Sequence, residues 1–303
     1  MKIAIIGGTG LIGVALSKEL KSRGDEILLI SRDLHSAKSK NKFAIKYFKW
    51  DYKTPIQLTE QINNYNTVIN LTGAPIGGRR WSKSYMKKIR NSRIEITQLL
   101  AEALCGCENV PQTFISASAA GFYGDAGDKI LTEDSPQGND FLANICAEWE
   151  NASCNVLIEN IRLVNIRTGI VLSNEGGALS KMLLPYKSFL GGPLGNGNQW
   201  FPWIHIKDEV DAIIFTIDND KIKGPVNLTA PNPVKMKELS KSLGRALNRP
   251  SFFKVPKFAL RMVAGKIAGS LVSSQRAVPK KLLDEGYKFN FAEVEDALKD
   301  LLK

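Results

Sequence analysis

With 303 residues and 44% hydrophobic content, the chain is long enough to bury a large core, as two domains or one elaborated domain. Its net charge of +11 raises nucleic acid as a partner, but the lysines are scattered and no DNA- or RNA-binding motif accompanies them, so no nucleic-acid partner is expected. Four cysteines (Cys105, Cys107, Cys146, Cys154) and two histidines (His35, His205) lack metal-ligand spacing, which argues against a zinc site and fits free thiols in a reducing cytoplasm.

The first predicted element is the most informative. Ile3 to Ile6 form a short apolar strand. Gly7, Gly10 and Gly13 follow at three-residue spacing, and a helical pattern (Leu11, Val14, Ala15, Lys18, Glu19, Leu20) begins inside them. Strand, glycine turn and helix together predict a dinucleotide site. The turn must be sharp, the backbone must approach a pyrophosphate closely, and the helix must sit tight on the strand. The free N–H groups and positive dipole end of the helix face the phosphates, which places Gly7, Thr9, Gly10, Leu11, Ile12 and Gly13 around them. Residues 2–16 also resemble a secretion signal, but no small-x-small cleavage pattern follows and the turn explains the glycines better.

A second strand is predicted over 26–30, closed by Ser31-Arg32-Asp33, and a third over 45–50, ending at Asp51. A helix near 55–62 leads to a strand over 67–71, a glycine-rich loop over 73–78 and a long helix through Leu104. The basic cluster Arg79, Arg80, Lys83, Lys87, Lys88, Arg90 and Arg93 reads as a solvated helix face with one or two contacts to an anionic ligand. Strands over 113–118, 161–167 and 170–172 flank a helix over 140–152. Strands alternating with helices predict an α/β fold, a doubly wound parallel Rossmann sheet.

Beyond residue 173 glycine pairs mark loops, one short strand is predicted over 225–228, and Met236, Leu239, Leu243 and Leu247 form the core stripe of a helix. Residues 252–303 read as a compact helical end piece, in which Gly265 and Gly269 suit close packing. No apolar run reaches membrane-spanning length, since 258–272 is interrupted by Arg261 and Lys266. The expected division is a cofactor domain over 1–172, to which 205–230 returns, and a smaller, mostly helical substrate-side part over 173–204 and 231–303.

The end of the second strand selects the cofactor. An acid there bonds the ribose hydroxyls of NAD, whereas an arginine accommodates the 2′-phosphate of NADP. Arg32 offers a planar charged fork and Ser31 a hydroxyl, so NADP is expected, with Asp33 as the dissenting residue. Asp51 is placed to contact the adenine, and Leu71, Thr72, Gly73 and Ala74 to run past the adenosine ribose and pyrophosphate.

Gly7-Gly8-Thr9-Gly10-Leu11-Ile12-Gly13 and Ser116-Ala117-Ser118-Ala119-Ala120-Gly121-Phe122-Tyr123-Gly124 resemble the cofactor signature and serine strand of the extended short-chain dehydrogenase/reductase superfamily. Asn70-Leu71-Thr72-Gly73-Ala74-Pro75-Ile76, Phe141-Leu142-Ala143, Trp149-Glu150, Arg167-Thr168-Gly169, Trp200-Phe201-Pro202-Trp203-Ile204-His205-Ile206 and the C-terminal Ser274-Gln275-Arg276 are similar to an atypical epimerase-like subgroup, often named nucleoside-diphosphate sugar epimerase or SDR39U1-like. The resemblance covers nearly the whole chain and implies a Rossmann fold and NADP binding, without naming a substrate.

The superfamily's proton relay needs a Ser and a YxxxK pair, whose spacing sets tyrosine and lysine on one helical face. Aligned on Trp149-Glu150, the tyrosine position holds Leu142 and the lysine position Cys146, neither of which can do that work. Ser118, or Ser116 if the register shifts by two, remains as a candidate hydrogen-bond donor, and Tyr123 as a candidate acid/base or as a phenol lining the substrate pocket. Arg79, Trp81, Cys146, Trp200, Trp203 and His205 are candidates for the substrate pocket, against the alternative that they pack the core, and Glu148 and Glu150 read as surface or capping residues. Two functions remain open in front: an NADP-dependent oxidoreductase or epimerase-like enzyme with a non-standard proton donor, and a non-catalytic NADP(H)-responsive binding protein. A membrane- or division-associated interaction protein is a weaker third. The expected partner is an unidentified small molecule, with a homodimer as the assembly considered.

Overall fold

The computed structural model describes residues 1–77, 81–255, 262 and 268–303. Arg79 and the Gly265 half of the glycine pair lie outside the described residues, as does most of the 258–272 run. Among the described residues no helix is long and apolar enough to cross a membrane.

Seven parallel strands form the central sheet: β1 (Lys2–Ile6), β2 (Glu26–Ser31), β3 (Lys46–Lys49), β4 (Thr67–Asn70), β5 (Thr113–Ala119), β6 (Arg162–Thr168) and β7 (Gly224–Leu228). Their spatial order is β7-β6-β5-β4-β1-β2-β3, so the chain reverses its direction of travel between β1 and β4. Period-two alternation divides each strand between two cores. Ile3 and Ile5 of β1 face one layer with Ile27, Ile69, Ile115 and Val164, while Ala4 and Ile6 face the other with Leu28, Ile30, Val68 and Phe114. Burial on both faces explains the unbroken apolar runs.

Helices α1 (Leu11–Ser22) and α7 (Ile206–Asp218) cover the first layer; α3 (Pro55–Ile62) and α4 (Lys83–Cys105) cover the second. Residues 205–230 thus contribute α7 and β7 to the main sheet. Helix α5 (Phe141–Ser153) packs beside α4, burying Ile145, Cys146 and Trp149.

A separate core gathers Leu179 of α6 (Gly177–Lys187), Met236, Leu239 and Leu243 of α8 (Met236–Leu247) and Leu298 of the C-terminal helix Val294–Leu301. The α8 stripe is therefore core, as its spacing predicts. The C-terminal segment nevertheless returns to the sheet, because Leu282 and Tyr287 join the first-layer core. Asp208, fully buried at the start of α7, binds this segment through its carboxylate, which accepts from the backbone N–H of Asn290 at 2.7 Å and of Phe291 at 2.9 Å.

Among the described residues three α-helices have no counterpart among the predicted elements: α2 (Leu34–Lys40), α6 and α7. Asp33 caps α2, its Oδ1 accepting from Ser36 N at 3.1 Å, and His205 caps α7, its Nδ1 accepting from Lys207 N at 3.0 Å.

Candidate functional site

In a doubly wound sheet the ligand crevice opens at the carboxyl ends of the strands where the strand order reverses. A cleft of about 390 Å³ lies there, walled by the turn after β1, the segment after β4, the ends of β5 and β6, and α5. A second hollow of about 440 Å³ at the opposite end of the sheet, against Lys2, Glu26 and Lys46, lies where strands begin and belongs to no such crevice.

The turn after β1 is shaped by what a side chain would hit. Gly7 has φ +82°, and a Cβ on it would stand 2.6 Å from the carbonyl carbon of Leu71; a Cβ on Gly13 would stand 2.6 Å from the Gly8 Cα. The first keeps β1 against the segment after β4, the second keeps α1 against the turn. A buried brace sits behind the turn. Asn41 Nδ2 donates to Gly8 O and to Ser17 Oγ, each at 2.8 Å, and Ser17 Oγ donates to Gly13 O at 2.7 Å.

Gly7, Gly10, Leu11, Ile12, Gly13, Leu71, Thr72 and Gly73 all line the cleft. Asn70 fixes the segment after β4, its Oδ1 accepting from Thr72 N at 3.0 Å and Thr72 Oγ1 at 2.6 Å. Thr9 is half-buried on the turn, and Ala74 lies behind the wall, its N–H donating to Ser92 Oγ at 2.9 Å. Asp51 is exposed; its Oδ1 accepts from Lys53 N at 2.8 Å, a bond that holds its carboxyl below the usual range and closes the turn into α3.

At the end of β2, Ser31 Oγ accepts from Asp33 N at 3.3 Å, and the exposed Arg32 guanidinium lies 5.1 Å from the centre of the Tyr52 ring. Arg32 has no carboxylate partner among the described residues. The dissenting Asp33 carboxylate is turned to its capping role on α2.

The catalytic candidates sit less simply. Ser118 lines the cleft, but its Oγ donates to Glu150 Oε1 at 2.7 Å. Glu150 is not a surface residue: Arg167 binds it bidentately, Nε to Oε1 at 2.8 Å and Nη2 to Oε2 at 2.9 Å, with both side chains largely buried. Tyr123 takes neither of the places expected of it, acid/base or pocket wall. It is 2% exposed and does not line the cleft; its hydroxyl donates to Asn227 Oδ1 at 2.6 Å and accepts from Arg167 Nη1 at 3.0 Å. Burial pushes that phenol up to about 12, so it holds its proton at neutral pH.

Of the substrate-pocket candidates, Cys146 lines the cleft, and burial pushes its thiol up to about 12, leaving it neutral. The aromatic candidates are displaced into packing roles. Trp203 is wholly buried in the second core, with Nε1 donating to Asn232 O at 3.2 Å. Trp81 packs edge-on against Phe141 and donates from Nε1 to Ile76 O at 3.0 Å. Trp200 lies outside the cleft, with Nε1 donating to Asp128 Oδ1 at 2.6 Å and the Arg276 guanidinium 4.3 Å from its ring centre. His205 is a buried cap stacked on Phe291 at 3.9 Å between ring centres, and burial lowers its pKa. Each of these four side chains has one polar atom bonded away from the cleft, His205 through Nδ1 alone.

Arg93 is expected on a solvated basic face that makes one or two contacts to an anionic ligand, but its side chain is buried and lines the cleft. The signal lay in its spacing: Ile89, Arg93, Thr97, Leu100 and Leu104 share one buried stripe of α4.

The model of the NAD dependent epimerase/dehydratase family matches residues 3–228, and that of a domain of unknown function, DUF1731, matches 255–301. The chain belongs to the NAD dependent epimerase/dehydratase family. It is 37% identical over 305 residues to the epimerase family protein YfhF of Bacillus subtilis (strain 168), covering 100% of this chain and 98% of that one. It is 36% identical over 307 residues to the epimerase family protein SDR39U1 of Mus musculus, covering both chains entirely. The crystal structure of human epimerase family protein SDR39U1 (isoform 2) with NADPH superposes with a TM-score of 0.89 at 32% identity, covering 100% of this chain and 99% of that one. This family membership bears out the resemblance drawn from the sequence motifs.

Proposed function

We propose that the chain binds NADP(H) in the cleft after β1 and β4 and acts on a small molecule as an oxidoreductase or epimerase-like enzyme that lacks the Tyr–Lys pair. The observation that carries the cofactor choice is Arg32, an exposed guanidinium without a carboxylate partner among the described residues at the end of β2, with Asp33 diverted to cap α2. The likeness to a structure solved with NADPH supports the same choice.

The residues present fit a dinucleotide. Gly10 and the N-terminus of α1 face the cleft to receive phosphates, Arg32 and Ser31 receive the 2′-phosphate, and Leu71 to Gly73 border the central part. Bound there, the nicotinamide supplies hydride chemistry. The chain's own residues exclude water through Leu142, Ile145 and Ala117 and hold the cleft floor through Ser118 and Glu150. Residues 1–172 and 205–230 hold the cofactor; 173–204 and 231–303 shape the substrate side, with Leu282 and Tyr287 fastening the second part to the first.

Titration with NADPH and NADH tests the cofactor. Arg32→Ala is expected to weaken NADPH about tenfold or more and leave NADH nearly unchanged, because only the phosphate loses a charge-assisted bond. Equal weakening of both would sink the preference. Turnover of NADPH with a panel of carbonyl compounds and nucleotide sugars tests the enzyme reading; tight NADPH binding with silence across the panel would overturn it.

A further inference from the structure

Among the described residues three arginines are substantially withdrawn from solvent near the sheet, and two of them have both terminal nitrogens bonded to protein acceptors. Arg167 holds Glu150 bidentately. Arg162 donates from Nη1 to the carbonyls of Thr216, Asn219 and Ile222, and from Nη2 to Ile217 O and Thr113 Oγ1. Arg93 is different. It is 8% exposed, and only Nη1 is engaged, donating to Ala74 O at 3.1 Å and Ile89 O at 3.0 Å. Nε and Nη2 have no protein acceptor, and no carboxylate stands within ion-pair distance, among the described residues.

A guanidinium stays charged even when buried, and a buried charge without a partner is costly unless a ligand completes it. The neighbouring groups do not discharge it: Cys146 is a neutral thiol, and the rest of the nearby wall, Ile76, Ile89, Leu142 and Ile145, is apolar. The guanidinium is also held in place. It lies 5.0 Å from the centre of the Trp149 ring, and Trp149 Nε1 donates to Thr97 Oγ1 at 2.9 Å. Asn70 Nδ2 donates to the same oxygen at 2.8 Å, so Arg93, α5 and the segment after β4 form one fixed frame. Gly73 leaves room beside it, since a Cβ there would stand 3.0 Å from Arg93 Cζ and Nη2.

We propose that Arg93 is an anion-binding residue of the cleft, its unpartnered Nε and Nη2 taking a carboxylate of the molecule that shares the cleft with the cofactor. The proposal rests on the cofactor reading above and extends it to the substrate class: small carboxylates with an apolar body, which the surrounding Ile76, Ile89, Leu142 and Ile145 accept. A planar oxyanion matches the guanidinium fork in two parallel bonds. The cofactor's phosphates have other donors, at the α1 N-terminus and at Arg32.

The test compares butyrate with butyramide, and benzoate with benzamide, as ligands of the full chain with and without saturating NADPH, by saturation-transfer NMR and by quenching of NADPH fluorescence. Each carboxylate is expected to bind the NADPH complex about tenfold or more tightly than its amide. Arg93→Met is expected to abolish that preference while NADPH affinity changes less than about threefold; Arg93→Lys keeps the charge without the fork and falls between. Equal binding of acid and amide to the wild-type chain, or no binding of either, overturns the proposal without needing a variant. Arg93→Met weakening NADPH about tenfold while the carboxylate preference persists overturns it in favour of a cofactor contact. Failure of NADPH to bind the wild-type chain is a separate result that removes the cofactor reading, and the carboxylate preference is still read on the chain alone.

Discussion

Glu209 is wholly buried on α7, where its Oε1 accepts from Thr168 Oγ1 at 2.8 Å and its Oε2 has no partner among the described residues. Burial pushes this carboxyl from an ordinary 4.5 up to about 8. Between those values the folded chain keeps a proton that the unfolded chain has released, so raising the pH favours unfolding, by about 1.4 kcal/mol per pH unit. Glu209→Gln retains an acceptor for Thr168 and removes the titration. Its advantage in thermal stability over the wild type is expected to grow from pH 5 to pH 8 and then level; a difference independent of pH would refute the assignment. The residue scale is also where the sequence was least legible. Trp203, Trp81 and Tyr123 are large amphipathic side chains, and whether such a group lines a cleft or packs a core depends on partners far away in the chain, such as Asn232 and Asn227. Arg93 was legible in principle, because its i, i+4 neighbours Ile89 and Thr97 are buried, but its charge outweighed its spacing.

Elements were read more securely than residues. The strands of the main sheet and helices α1, α3, α4, α5 and α8 follow from apolar runs and stripes that local spacing records directly. The three unread helices have local reasons. α2 is short and rich in serine and lysine, and its cap Asp33 drew a cofactor reading instead. α6 follows Gly176-Gly177 and contains Pro185, both signals of a loop. α7 begins on a histidine cap, a rarer choice than Ser, Thr, Asp or Asn, although Asp208 and Glu209 in its first turn are a usable sign. Helix α2 contributes through the residue that ends it, because its C-cap Asn41 braces the glycine turn from behind. Asn41→Ala leaves the Gly8 carbonyl and the Ser17 hydroxyl short of a buried bond, and is expected to cost about 1–3 kcal/mol. Urea denaturation checks this; an unchanged midpoint and slope would show that the brace contributes nothing.

At the scale of the molecule, the sheet and the second core are joined by Asp208, Leu282 and Tyr287 rather than by a bare linker. Thermal unfolding is therefore expected as a single transition, with calorimetric and van't Hoff enthalpies in agreement. Two resolved transitions would show the second core melting by itself. The same wrapping settles the fate of the sheet's two borders. On β3 the border is four residues long with Lys46 and Lys49 exposed at its ends. On β7 the border N–H of Asn227 is taken by a side chain, donating to Glu133 Oε1 at 3.1 Å, and the Lys281 N–H donates to that same oxygen at 3.2 Å. A carboxylate in that place denies that strand donor to an incoming chain, while the exposed Lys49 charge disfavours pairing of copies at the other border, where Lys46 is paired with Glu26. Resistance to cross-chain strand addition is thus built in at both margins, by charge at one and by a sealed donor at the other.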